Sequence, residues 1–338
     1  MATKYYFSTP TLMSIFITNR CNLRCKHCVF AAGEPLKEEL SDEQIFNLID
    51  KISTREVICL DFSGGEPLLH KSLFKFIDYA YEKGIKSISI ATNSTLINEE
   101  IAKRFKKYQG NSDKFNLRIS LDGSTAEIHD WLRGEGNFKA AINGLELLKK
   151  YNIRPREINM VIHKKNIDDI ENVVRFAKEY NSYYVVILPL IISGRAIAIK
   201  EFMITPSLWK QTSIICRRLS KQYNIEILCD GPTSCLLDAD INLNKPKPCM
   251  CGYQFLGISP SGEILPCPIT DLSIGNIKND DLFNLWLNSP ILKDIREIEN
   301  LGGKCVGCEY KIVCRGGCRG LAHTVFNNYN LPDPLCWK

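Results

Sequence analysis

The chain has 338 residues, 45% hydrophobic and 24% charged, with a net charge of +5, a balance that fits a water-soluble globular protein with a large core and a smaller second unit. No run of about 18 apolar residues reads as a membrane span, and no nucleic-acid motif is present, so neither membrane nor nucleic acid is an expected partner. There are fifteen cysteines, and the start of the chain lacks the basic, apolar and cleavage segments of a secretion signal, which points to metal or redox chemistry in the cytoplasm rather than to disulfides.

The first predicted strand, LMSIFIT (12–18), is followed by Cys21-Asn22-Leu23-Arg24-Cys25-Lys26-His27-Cys28. Three thiols on one loop are one short of a structural zinc site and cannot all pair as disulfides. Ser41 with Gln44 reads as a capping box, opening a helix whose Ile45, Leu48, Ile49 and Ile52 share one face. The second strand, VICLDFS (57–63), runs into Gly64-Gly65-Glu66-Pro67. Paired glycines allow close backbone approach to a ligand, Pro67 fixes the turn, and Glu66 offers acceptors to an ammonium.

The third strand, SISIAT (87–92), ends at Asn93, and the basic run at 103–107 lies on a helix face as a solvated surface. The fourth strand, NLRISLD (116–122), continues into SLDGSTAEIHDWLRG (120–134). EINMVIH (157–163) and YVVILPL (184–190) complete six strands. Apolar stripes at Phe138, Ala141, Ile142 and Leu145, and at Ile170, Val173, Val174 and Ala177, mark helices between them.

Strand–helix alternation implies parallel strands with right-handed crossovers. A closed eightfold barrel takes about 250 residues, so six units in residues 1–200 predict an α/β fold with an open, partial (β/α)6 TIM-like barrel. Loops at the C-terminal ends of such strands carry function, and Cys21–Cys28 lies on one. Residues 201–248 read as a bridge with one helix near 206–223. Residues 249–338, rich in cysteine and glycine, read as a small domain held by metal.

Cubane iron–sulfur clusters ordinarily take four thiolates, so three leave one iron open to a substrate. The CxxxCxxC loop after the first strand resembles the signature of the radical S-adenosylmethionine enzymes. Gly64, Gly65, Glu66 and Pro67 match the family's GGEP element, which the resemblance places on the amino group of the cofactor's methionine half. The SLDG…HD..RG run resembles the peptide-modifying branch. It implies Ser120 and Arg133 near the cofactor's carboxylate or ribose, with Asn93 a further candidate. The implied chemistry is reductive cleavage of S-adenosylmethionine to methionine and a 5′-deoxyadenosyl radical, which takes a hydrogen atom from substrate.

Cys251-x10-Gly262-x4-Cys267, Cys305-x2-Cys308-x5-Cys314-x3-Cys318 and Cys336 resemble the seven-cysteine SPASM pattern. Two auxiliary clusters are implied, the distal one held by Cys305, Cys308, Cys314 and Cys336. Cys251, Cys267 and Cys318 would hold the proximal one, its fourth ligand being Cys249, Cys235 or an open iron. Cys59 and Cys216 read as small buried apolar residues. Cys229 and Cys235 are structural or, for an epimerase, hydrogen-atom donors. Pro268 after Cys267 replaces the aspartate of sulfatase-maturing relatives, and Asp271 is out of place for that role.

The tail CRGGCRGLAHTVFNNYNLPDPLC (314–336) resembles the pyrroloquinoline-quinone and mycofactocin peptide maturases, and also the haem-pathway decarboxylases. The expected function is therefore oxidative crosslinking, decarboxylation or epimerisation of a ribosomally made peptide. That peptide contacts the enzyme directly or through a separate small recognition protein, because the first strand begins by residue 12. The alternatives are decarboxylation of tetrapyrrole propionates and, from another class, an electron-transfer or zinc protein on a decayed barrel. Flavodoxin or ferredoxin is the expected reductant.

Overall fold

The computed structural model describes residues 6–109, 114–239, 248–270 and 272–338. The six predicted strands are β1 (Leu12–Thr18), β2 (Cys59–Gly64), β3 (Ser87–Thr92), β4 (Phe115–Ser120), β5 (Glu157–Ile162) and β6 (Tyr184–Pro189). They pair in chain order, all parallel. Helices α1 (Asp42–Ser53), α2 (Leu73–Glu82), α3 (Glu99–Tyr108), α4 (Ala126–Arg133), α5 (Asn137–Lys150) and α6 (Ile170–Glu179) form the crossovers. The predicted capping box is present: the Ser41 hydroxyl accepts from the Gln44 N–H, and the Gln44 side chain accepts from Ser41 N–H. The predicted stripes of α1 and α6 are buried, whereas on α3 only Ala102 and Phe105 are buried and the lysines around Phe105 face solvent.

The sheet is longer than the six strands expected. After α7 (Pro206–Tyr223), the expected bridge adds β7 (Glu226–Cys229), a parallel strand beside β6. At the other edge, β8 (Phe255–Ile258) lies parallel to β1, and β9 (Ile264–Leu265) returns antiparallel beside β8. The order is β7-β6-β5-β4-β3-β2-β1-β8-β9. The cysteine-rich end is thus stitched by backbone hydrogen bonds into the barrel sheet, in place of standing apart on metal alone. The remaining α-helices of the described residues are short: α8 (Cys235–Ala239) in the bridge, then α9 (Leu282–Asn288), α10 (Pro290–Arg296), α11 (Lys311–Cys314) and α12 (Arg319–Phe326) in the cysteine-rich end.

One apolar core runs from Met13 and Ile15 on β1 through Ile88 and Ile90 on β3 to Val185 and Ile187 on β6, and continues to Leu256 and Ile258 on β8. Burying each such side chain contributes about 1.5–3 kcal/mol, so the sheet gives the loops at its C-terminal edge a rigid base. No helix among the described residues is long and apolar enough to cross a membrane.

Candidate active site

The three-cysteine loop leaves β1 and is pinned at several points. The N–H of Cys21 donates to Gly33 O at 2.8 Å, and Lys26 N–H donates to Leu132 O at 2.8 Å. Phe16 on β1 packs on Phe30 with ring centroids 4.5 Å apart. Arg195, just past β6, donates from Nε to Cys25 O and from Nη1 to Ala32 O, each at 2.8 Å, and its own N–H reaches Cys28 O at 3.0 Å. Gly194 makes this approach possible. Its φ is +54°, and a Cβ there would lie 2.4 Å from Val29 O, which no L side chain tolerates. Sequence reasoning gave this Ser-Gly-Arg segment no part in the site, and its one local signal was glycine directly before arginine shortly after a strand.

The three sulfurs are accessible to different degrees: Cys25 is buried, Cys21 and Cys28 half-buried. Leu23 N–H points at the Cys21 sulfur and Ala32 N–H at the Cys28 sulfur, each at 3.4 Å. Burial pushes the Cys21 thiol up to about 11. It also raises Cys25, against the pull of the Arg133 and Arg195 guanidiniums. A thiol held protonated by burial becomes thiolate when a metal takes the proton's place, and backbone N–H donors then stabilise the anionic sulfurs. This donor set fits an iron–sulfur cluster.

Gly64-Gly65-Glu66-Pro67 stands beside the loop, but its close approach differs from the expected one. A Cβ on Gly64 (φ +124°) would lie 2.4 Å from Thr18 O, and one on Gly65 would lie 2.2 Å from Arg20 O. The glycines let β2 press against the chain's own backbone where β1 enters the cysteine loop, with Gly65 N–H bonded to Thr18 O and Glu66 N–H to Arg20 O. The Glu66 carboxylate accepts from Thr92 Oγ1 and Asn93 N at 2.8 Å each, and from Leu68 N at 3.2 Å. It has about four lone-pair sites, so room for one further donor such as an ammonium remains. Burial raises this carboxyl to about 7. Pro67 opens a short 3-10 turn.

Asn93 joins the two parts: its N–H binds Glu66, and its side-chain amide donates to Asn22 Oδ1 of the cysteine loop at 3.0 Å. Ser120 closes β4, half-buried and paired with Asn159 of β5. Arg133 is the expectation that shifts most. Its guanidinium is committed to the fully buried Asp122, with one arm 3.5 Å from His27 Nε2. Burial would raise the Asp122 carboxyl, yet the Arg133 charge holds it down at about 2. Arg133 therefore reaches the site as a charge beside Cys25 and Cys28. Asp122 went unread because its partner is eleven residues on, across a turn.

The remaining candidate cysteines fall into two groups. Cys305, Cys308, Cys314 and Cys336 line one small cavity with Leu236, Tyr310 and Gly316. The Cys251 thiol is within hydrogen-bonding reach of both Cys249 and Cys267. Cys318, the N-cap of α12, lies close to Cys249 and Cys267, while Gly320 sits so near the Cys267 sulfur that a Cβ would stand 3.1 Å away. Cys249 thus joins Cys251, Cys267 and Cys318. Cys235, the other candidate for that place, packs instead against Cys314 at the distal cavity, because α8 docks on α11. Cys229 faces Cys216 on α7, in the layer between helix and sheet, whereas Cys59, expected to be buried, is only half-buried at the start of β2 beside Asp61. Asp271 lies outside the described residues.

The radical SAM superfamily profile matches residues 15–177, and the SPASM iron–sulfur cluster-binding domain profile matches 249–309. An AdoMet-dependent heme synthase of Methanosarcina barkeri is 28% identical over 97% of both chains. The mycofactocin maturase MftC of Mycobacterium ulcerans is 29% identical over 97% of this chain and 88% of its own. In structure, SuiB of Streptococcus suis bound to its precursor peptide SuiA superposes with a TM-score of 0.82, at 19% identity over 98% of this chain and 77% of its own.

Proposed function

The chain belongs to the radical S-adenosylmethionine enzymes that carry a SPASM domain, and on that premise we propose that it modifies a ribosomally made peptide by hydrogen abstraction, ending in oxidative crosslinking, decarboxylation or epimerisation. The observation that carries this reading is the sorting of its thiols. Three sit on the loop after β1, and two groups of four sit in the C-terminal third. An open three-thiolate site suits radical generation, and two closed four-thiolate sites suit uptake of the electron an oxidised substrate gives up.

Cys21, Cys25 and Cys28 would hold a [4Fe-4S] cluster, which would supply the electron for reductive cleavage of S-adenosylmethionine and so for hydrogen abstraction from substrate. The chain's own residues orient and shield. Glu66 would accept the methionine ammonium, and Asn93 fixes Glu66 relative to Asn22. Arg195 and the Asp122–Arg133 pair hold the loop backbone and its charge. Ser120, at the end of β4, would contact the cofactor's carboxylate or ribose. Flavodoxin or ferredoxin supplies electrons, and a small recognition protein or direct contact brings the peptide.

A second reading, oxidative decarboxylation of a tetrapyrrole propionate, is favoured by the end-to-end likeness to the heme synthases. The deciding experiment offers anaerobically reconstituted enzyme, with reductant and S-adenosylmethionine, peptides encoded beside its gene and, separately, propionate-bearing tetrapyrroles. The peptide reading expects a peptide mass lower by two hydrogens, or by carbon dioxide and two hydrogens, or an inverted residue. Product from the tetrapyrrole alone overturns it.

A further inference from the structure

Arg319 follows Cys318 at the start of α12 and is 2% exposed. Its guanidinium bonds run to neutral acceptors: Nη1 donates to Tyr329 O at 2.7 Å and Asn330 Oδ1 at 3.1 Å, and Nη2 donates to Ile295 O at 3.0 Å. The Nε–H is buried without a hydrogen-bond partner among the described residues, and no ion pair among them involves Arg319. The Asp294 carboxylate feels this charge but meets it only through the Asn330 amide, which accepts from Arg319 and donates to Asp294. A buried charge with no carboxylate bonded to it is costly, and an anionic group held beside it would offset that cost.

The position says what that is. The Arg319 backbone N–H points at the Cys249 sulfur, and its charge is felt there. Its Nε lies 3.5 Å from where a Cβ on Gly316 would be, and Gly316 is a wall of the cavity formed by Cys305, Cys308, Cys314 and Cys336. Cys305 of that distal group also feels the guanidinium. Arg319 therefore sits between the two four-thiol groups, in contact with the surroundings of both.

An iron–sulfur cluster held by four thiolates is anionic, and more so when reduced. A fixed cation in a low-dielectric interior favours the reduced form. We propose that Arg319 is the shared counter-cation of both auxiliary sites, holding the two clusters at potentials where they accept the electron left by substrate oxidation. This rests on the radical SAM/SPASM reading, and as a positioning residue Arg319 acts through the clusters without touching substrate.

The test is potentiometric EPR on the fully loaded enzyme, its Arg319→Gln variant and its Arg319→Lys variant. In Arg319→Gln both auxiliary midpoint potentials are expected to fall, while that of the three-cysteine cluster stays put. Arg319→Lys keeps the charge but loses the fork, so its potentials are expected to stay near those of the unmodified protein even if it melts earlier. Unchanged potentials in Arg319→Gln, or an Arg319→Lys drop as large as that of Arg319→Gln, would reduce the arginine to a structural fork. If Arg319→Gln does not load, a fall in the auxiliary potentials of Arg319→Lys, which keeps the charge, would still overturn the proposal. Absence of auxiliary signals from the unmodified protein would instead sink the reading beneath the proposal.

Discussion

Arg195 donates from Nε to the carbonyl of Cys25 at 2.8 Å, across 170 residues of chain. Together with the bonds to Ala32 O and Cys28 O, it ties the segment after β6 to the loop that leaves β1, strands that lie apart in the sheet with β2–β5 between them. A charged donor on a carbonyl is worth about 1.5–3 kcal/mol, and two such bonds set the loop's geometry.

Replacing Arg195 with Ala should therefore loosen this cluster and spare the auxiliary ones. Release of iron from the three-cysteine site to a chelator is expected to rise at least about tenfold, one such bond's worth, read by loss of that cluster's EPR signal. Equal losses from all sites would mean a general folding defect.

Glu66 gives a pH prediction. Its carboxyl ordinarily titrates near 4.5 and lies here near 7 because of burial. Between those values the folded chain holds a proton that the unfolded chain has lost, so this group's contribution to stability falls as pH rises from about 4.5 to about 7 and stays low above it. Glu66→Gln keeps an oxygen to accept from Asn93 N–H, loses the acceptor for Thr92 Oγ1 and Leu68 N–H, and should lose that pH dependence. Its melting temperature at pH 8 is expected to match or exceed that of the unmodified protein. Binding of S-adenosylmethionine, by anaerobic calorimetry, should weaken about 10- to 100-fold through loss of the bond to the ammonium. Undiminished binding would remove Glu66 from the cofactor site.

The two cysteine groups predict separable losses. Cys249→Ala should alter the proximal cluster, costing up to about four irons per chain, whereas Cys235→Ala should leave that cluster intact. Iron and sulfide analysis with Mössbauer spectra tells them apart. A proximal cluster untouched in Cys249→Ala would return the fourth position to an open iron.

Much of this was legible in the sequence, because its signals are local. The capping box at Ser41, the stripe at Ile45–Ile52 and the cysteine spacings each lie within a few turns of chain. What escaped depends on distant packing. β7, with the short sequence EILC and no alternation, is a strand only because β6 offers it an edge. β8 carries Gly257, which lies against the ring of Phe16 on β1, and pairs with that strand some 240 residues earlier. The glycines at 64 and 65 were read as making room for a ligand, and the neighbour they make room for is Thr18 and Arg20 backbone. Arg195, Asp122 and Arg319 gain meaning only from partners the chain brings from elsewhere.

The central claim, radical chemistry at the loop of Cys21, Cys25 and Cys28, is tested most directly by one product. Protein reconstituted anaerobically with iron and sulfide, then reduced and given S-adenosylmethionine, should form 5′-deoxyadenosine. The variant with all three cysteines replaced by alanine should form none while retaining its auxiliary iron. Well-loaded, unmodified protein that forms no 5′-deoxyadenosine, with or without peptide or tetrapyrrole, would contradict the account and leave the clusters as electron carriers.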